Sequence, residues 1–281
     1  MADRRLTPAN SRVAAAYLED LPEGVERVDG TAARIGVPVA DLLRAPNGAR
    51  DRQLVYGEPV TVYEEHEGWA FLQAAKDGYV GYVGYVPGTA LIPVFEATHW
   101  VSAPATHAYT ADDFKSPETR ALSHGSRVQV LGGAGQLPGR FLETNLGFIP
   151  ARHLSPLGAH ADDTVAVAEL FLGTPYLWGG NSRFGIDCSG LVQAALLACG
   201  IPCPGDSDMQ EAELGAPAPS GDYQRGDLLF WKGHVAMVRD AQTLIHANAH
   251  DMAVALEPID AAIERIQTQG DGPVTAHKRL A

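Results

Sequence analysis

"FGIDCSGLVQ", residues 184–193, sets a cysteine between an aspartate and a serine where a run of small and apolar residues begins. The stretch reads as a helix start, with Asp187 near the N-cap, Cys188 in the first turn and Gly200 closing the helix "GLVQAALLACG". That helix is apolar on nearly all sides, so it is predicted to lie buried at the centre of a domain, anchored by Ile186 and Leu191. A thiol in its first turn has two readings. It is a small packing residue, or it is a nucleophile exposed to a base, its thiolate stabilised by unpaired N–H groups and the helix dipole. The same N–H groups supply part of an oxyanion hole.

The surrounding segments give the domain its class. "ADDTVAVAELFLG" (161–173) starts with aspartates that cap a helix and ends at Gly173. "SDMQEAEL" (207–214) offers a capping box, Ser207 with Gln210, and a third helix. "RGDLLFW", "HVAMVRD" and "TLIHANA" follow as short strands. Helices first and an antiparallel sheet second make an α+β domain.

Two histidines sit in those strands. If they form a hairpin turning around Asp240, His234 and His246 face each other directly, with their side chains on one face. One imidazole then acts as a base while the other fixes its tautomer, and Cys188 completes a thiol–base–orienter set. A slip of one residue would destroy this by flipping one histidine to the other face. Cys199 and Cys203 read as core and loop residues, since a Cys-x3-Cys metal site lacks further ligands.

Before Pro156 the chain reads differently. "YGEPVTVY" (56–63) resembles "HGSRVQVL" (124–131), and "GYVPGTAL" (84–91) resembles "GFIPARHL" (147–154). Alternating apolar residues and glycine turns predict two small antiparallel β-barrels. The expected organisation is a leader at 1–30 packed on the barrels, β units at 31–97 and 98–157, and the α+β domain at 158–281.

The formal charge of −13 disfavours nucleic acid and anionic membranes as partners, because phosphate contacts need a basic face. No stretch approaches the ~20 apolar residues of a membrane span. "MADRRLTPAN" has no apolar signal region, and three cysteines make a disulfide framework unlikely by count. A cytoplasmic location is the expectation.

"PYLWGGNSRFGIDCSGLVQ", "RGDLLFWKGHVAMV" and "LIHANAH" together resemble the NlpC-type murein peptidases, which are papain-like cysteine peptidases acting on bacterial cell-wall peptides. The resemblance covers most of residues 160–255 and implies Cys188 as nucleophile, His234 as base, His246 as third member and Tyr176 beside the nucleophile. The β units resemble the bacterial SH3-like domains that flank such enzymes. The whole layout is similar to the γ-D-glutamyl-L-diamino acid endopeptidases, the dipeptidyl-peptidase VI group. That group implies a murein stem peptide with a free N-terminal L-Ala as substrate, cut after L-Ala-γ-D-Glu in peptide recycling, with no metal or organic cofactor.

It also implies a set of residues holding the peptide. Asp206 and Ser207 in "PGDSDMQ" match one motif, and Glu58 in "YGEPV" is the matching glutamate of the first β unit. The accompanying tyrosine is Tyr82 counted back from Pro87, or Tyr79 counted on from Asp77. Asp187 and Ser189 flank the thiol; Asp187 either caps the helix alone or lines the site as well. Asp206 also reads as a helix cap and Glu58 as a solvated turn residue. Three rivals stand beside this reading: an enzyme acting on intact wall, an acyl transferase using the same groups, and a non-catalytic binder of wall peptides.

Overall fold

In the computed structural model, which describes residues 3–19, 21, 23–84, 90–132 and 140–280, the chain divides into two units, Met1–Leu157 and Gly158–Ala281. The second unit carries Cys188 and is built around its helix. Helix α1 (Thr164–Glu169) is capped by Asp163, whose Oδ1 accepts from the Val165 and Ala166 N–H groups. Helix α2 (Cys188–Ala198) is buried nearly all round and ends at Gly200 with φ +75°. Ile186 and Leu191 are buried at and beside its start.

Helix α3 (Ser207–Glu213) departs from the expected capping box. Its N-cap is Asp206, one residue earlier, and no side chain caps it. Gln210 is buried instead of exposed, and its Nε2 donates to the carbonyls of Ser189 and Pro204, both at 3.0 Å. A buried carbonyl needs a donor more than a half-buried helix end needs a cap.

A six-stranded antiparallel sheet packs with these helices. Its order is Ala216–Pro217, Ala276–Arg279, Leu228–Trp231, His234–Asp240, Thr243–Asn248, Ala253–Pro258. Helix α2 packs across the two histidine strands. Helix α4 (Ile259–Gln269) covers the face formed by Leu229, Trp231, Ala236, Val238 and Leu244, through Ile259, Ala262 and Ile266. The strand at 253–258, the strand at 276–279 and α4 are additions to the elements expected from sequence.

The first unit is β-structured. Seven strands form one sheet in the order Arg50–Val55, Val39–Leu43, Val80–Gly84, Trp69–Ala74, Pro59–His66, Thr31–Ile35, Leu91–Ile92. Leu42, Leu54, Val60, Leu72 and Val83 fill its core. On the other face Tyr63, Phe71 and Val80 pack with Val13 and Ala15, which precede the sheet. Among the described residues the strand pairing leaves two free edges, so main-chain pairing does not close the barrel expected for 31–97. Residues 85–89, most of the repeat "GYVPGTAL", lie outside the described residues.

Residues 98–157 form a five-stranded and a three-stranded sheet around Val101, Ala108, Leu122, Val128, Ile149 and Leu154. Here "GFIPARHL" is a strand (Gly147–Pro150), a 3-10 turn (Ala151–His153) and the start of the next strand. No helix among the described residues is long and apolar enough to cross a membrane.

Candidate active site

Asp187 explains why the thiol stands where it does. Its Oδ1 accepts from the Gly190 N–H at 2.7 Å and from the Ser189 hydroxyl at 3.2 Å. Its Oδ2 accepts from the Gly179 N–H at 2.9 Å. One carboxylate thus caps α2 and ties its first turn to the "LWGG" loop. The close fit needs Gly190, because a Cβ there would stand 2.3 Å from the Gly180 carbonyl oxygen. Cys188 is held 6% exposed, more covered than the sequence suggested.

Tyr176 links this helix start to the histidines. Burial raises its pKa, and the neighbouring Cys188 and Asp187 raise it further, so the phenol stays protonated and able to donate. It lines a cavity of about 230 Å³ together with His234.

The histidines meet, though not by the expected register. Met237 pairs with Ile245, Val238 with Leu244 and Asp240 with Thr243, with a bulge between Val238 and Asp240. The turn is Ala241–Gln242, beyond Asp240 rather than around it. Carried along the strands, this register sets His246 opposite Ala236 and His234 one diagonal step away. The expected register is therefore off by two residues. An even slip preserves the face, and diagonal neighbours remain within reach for long side chains. His234 Nε2 and His246 Nδ1 are 2.9 Å apart.

Behind His246 lies a polar chain that sequence reasoning missed. Glu257 Oε2 is 3.1 Å from His246 Nε2. Arg265 of α4 grips Glu257 with Nε and Nη2 at 2.8 and 2.7 Å. Both partners hold the Glu257 carboxyl down, to about 2, with Arg265 the stronger. Asn248 Nδ2 is also 3.0 Å from His246 Nε2, and that amide is oriented by Asp251. The two groups compete for one nitrogen: Glu257 only accepts and the Asn248 amide nitrogen only donates. The bond to the charged carboxylate is the stronger, so Nε2 carries the proton. His246 Nδ1 then accepts from His234 Nε2–H, which leaves His234 Nδ1 as a free lone pair.

Burial lowers the His234 pKa to about 3, and the His246 ring adds to this, so the lone pair is available at neutral pH. The signal for Asn248 was present in the sequence, two residues from His246 on the same strand face. Glu257 had none, because it reaches His246 diagonally from the next strand, where His246 pairs with Ala255.

The other expected residues fall in two places. Asp206 and Ser207 begin α3, which packs on α2, and the Gln210 bond to the Ser189 carbonyl brings that helix to the residue after the thiol. Glu58, Tyr79 and Tyr82 belong to the first unit. Glu58 is 9% exposed, so it is not a solvated turn residue. Its Oε1 accepts from Lys76 at 2.9 Å, and its buried Oε2 has no hydrogen-bond partner among the described residues. Tyr79 is buried in the sheet core. Tyr82 points to the opposite face and packs with Phe71, at a ring distance of 5.0 Å.

Residues 173–269, which hold the thiol, both histidines, Glu257 and Arg265, match the NlpC/P60 family. The chain carries an NlpC/P60 domain. Residues 42–91, within the seven-stranded sheet, match the bacterial dipeptidyl-peptidase Sh3 domain. The chain is 30% identical over 187 residues to the gamma-D-glutamyl-L-lysine dipeptidyl-peptidase of Bacillus subtilis (strain 168), covering 64% of this chain and 63% of the relative. It is 27% identical over 230 residues to dipeptidyl-peptidase 6 of Lysinibacillus sphaericus, covering 74% and 83%. The chain thus spans under two thirds of the first relative's length. The crystal structure of an NlpC/P60 family protein from Bacillus cereus ATCC 10987 is similar in fold, with a TM-score of 0.72 at 22% identity over 89% of this chain and 99% of that one. The NlpC/P60 match holds the thiol and both histidines, and the Sh3 match ends before the sheets of 98–157.

Proposed function

We propose that this protein is a cysteine endopeptidase that cuts the γ-D-glutamyl–diamino acid bond of murein-derived peptides. The observation that carries the reading is the line His234–His246–Glu257, which leaves a neutral imidazole nitrogen as base in a domain whose central helix starts at a thiol.

His234 Nδ1 takes the Cys188 proton as the sulfur attacks the γ-carbonyl carbon. The carbonyl oxygen becomes an oxyanion, stabilised by the N–H donors at the α2 start and by the Tyr176 hydroxyl. The imidazolium returns its proton to the leaving amine as the C–N bond breaks, which leaves a thioester. Water, deprotonated by His234, then attacks the thioester. The acid departs and the thiol is restored. His246 and Glu257 hold the base in one tautomer throughout.

The names of the two relatives support a dipeptide-releasing cut. We assign the substrate as a free stem peptide; Glu58 of the first unit and Asp206 of the second are each a candidate acceptor for its L-Ala amine, and Ser207, Ser189 and Tyr82 or Tyr79 are candidates for seating the peptide. An ammonium is the natural partner for the unpartnered Glu58 Oε2. We read residues 98–157 as a second SH3-like unit and place the enzyme in the cytoplasm, in peptide recycling.

The test is to incubate the protein with L-Ala-γ-D-Glu-diaminopimelate and its N-acetylated form and to follow products by mass spectrometry. The expected result is rapid release of L-Ala-D-Glu from the free peptide only. Equal cleavage of both removes the amine requirement. Glu58→Gln is expected to raise KM on the free peptide roughly 10-fold with kcat nearly unchanged; an unchanged KM removes Glu58 from the site.

A further inference from the structure

The cavity in front of His234 carries charges that no step above uses. His234, Tyr176, Lys232, His250, Arg265 and Asp271 line it. Proton transfer fixes its place in the reaction. His234 gives its proton to the leaving amine, so the residue bearing that amine departs on the His234 side of the thiol. The candidates for the acyl side, Asp187, Ser189, Asp206 and Ser207, do not line this cavity. At about 230 Å³ it falls below the ~300–1,000 Å³ of pockets that hold a whole drug-sized ligand, which suits one residue of a peptide.

Its charges are of both signs. Lys232 sits on the two-residue turn that joins Trp231 to His234, exposed and without a side-chain partner among the described residues. His250 and Asp271 are likewise exposed, and no described side chain pairs with them. Arg265 is already committed to Glu257 and Gln269. The open groups are therefore one permanent cation, one imidazole and one carboxylate around a space the size of a side chain.

Two leaving residues fit the bond being cut. The far end of lysine is an ammonium alone. The far end of diaminopimelate is an ammonium and a carboxylate on one carbon. We propose that this cavity is the leaving-residue subsite, that Asp271 meets the ammonium that lysine and diaminopimelate share, and that Lys232, beside His250, selects the zwitterionic end of diaminopimelate over lysine. The proposal rests on the peptidase reading above. A lone ammonium satisfies Asp271 and leaves Lys232 unanswered, whereas the zwitterion answers both.

The experiment measures kcat/KM for L-Ala-γ-D-Glu-meso-diaminopimelate and L-Ala-γ-D-Glu-L-Lys with the wild-type protein and Lys232→Ala. The wild type is expected to prefer diaminopimelate roughly 10-fold, the low end for a charge-assisted bond because the site is open to water. Lys232→Ala is expected to bring the ratio near one by losing rate on diaminopimelate alone. Equal rates of the wild type on both peptides overturn the subsite, as does a preference that survives Lys232→Ala. Cleavage of neither peptide by thiol-reduced protein overturns the peptidase reading, and the subsite with it.

Discussion

Behind the His234 ring, His246, Glu257 and Arg265 form a line of contacts of 2.7 to 3.1 Å, and Arg265 returns to the wall of the cavity in front, where Lys232, His250 and Asp271 have no side-chain partner among the described residues. Both regions are polar, and both reach the same imidazole. They differ in whether the charges are answered. Answered groups in a low-dielectric interior fix geometry, and losing one strands its partner. Unanswered groups at the surface stay hydrated at little cost and remain open to a ligand. The rear should therefore govern rate and the front should govern selection.

Removing the thiol has the largest effect. Cys188→Ala is expected to lower kcat by about 10⁴-fold or more, because the nucleophile and its base act as a unit. Peptide binding, followed by calorimetry, should persist. Cleavage that survives in this variant would detach both sides of His234 from the chemistry.

Glu257→Gln probes the rear region. The neutral amide oxygen of the Gln variant holds the His246 Nε2 proton less firmly than the carboxylate does, so Asn248 competes for Nε2, and where it donates there the His246 proton moves to Nδ1. His234 must then accept at Nε2, so its own proton sits on Nδ1 and blocks the base. The expected loss is roughly 10–100-fold in kcat, at or below the ~10²–10⁴ contribution of general base catalysis, with KM little changed and partial recovery in Glu257→Asp. A purely structural role would move stability without that split between kcat and KM.

The same variant has a pH signature. Glu257 is held at about 2 from an ordinary 4.5, so its contribution to stability is complete above about 4.5 and is lost as pH falls toward 2. Thermal melts should show the wild type losing stability in that window and the Gln variant losing less.

What could be read in the sequence follows from how far each feature depends on tertiary register. The helix start at Asp187–Gly190 is local, written in four adjacent residues, and its cap forms as the residue types require. The histidine pair needed only the correct face, and parity along a strand gives that even when the register is off by two. Glu257 needed the pairing of a strand that was not foreseen and a helix after it, so no local pattern marks it. Gln210 went astray for a related reason: its spacing from Ser207 matches a cap, but burial against the Ser189 carbonyl outweighs it. The first unit's strands were legible from alternation, but whether its sheet closes depends on edges that alternation does not describe.

Asp271→Asn is the mildest probe and tests the front region alone. Asp271 follows the end of α4 on the surface and, although Arg265 lines the same cavity, pairs with no side chain of the rear chain among the described residues, so kcat, stability and the Glu257 pH signature should all stay as in the wild type. If the carboxylate meets the distal ammonium, which lysine and diaminopimelate share, then KM should rise for both peptides by about 2–5-fold, the scale of one exposed ion pair. The ratio between the peptides should not move, because Lys232 still reads the carboxylate that differs. A fall in kcat would mean that Asp271 acts on His234 and that front and rear are one electrostatic unit. A change in the ratio would mean that Lys232 and Asp271 read the leaving residue jointly and not one charge each.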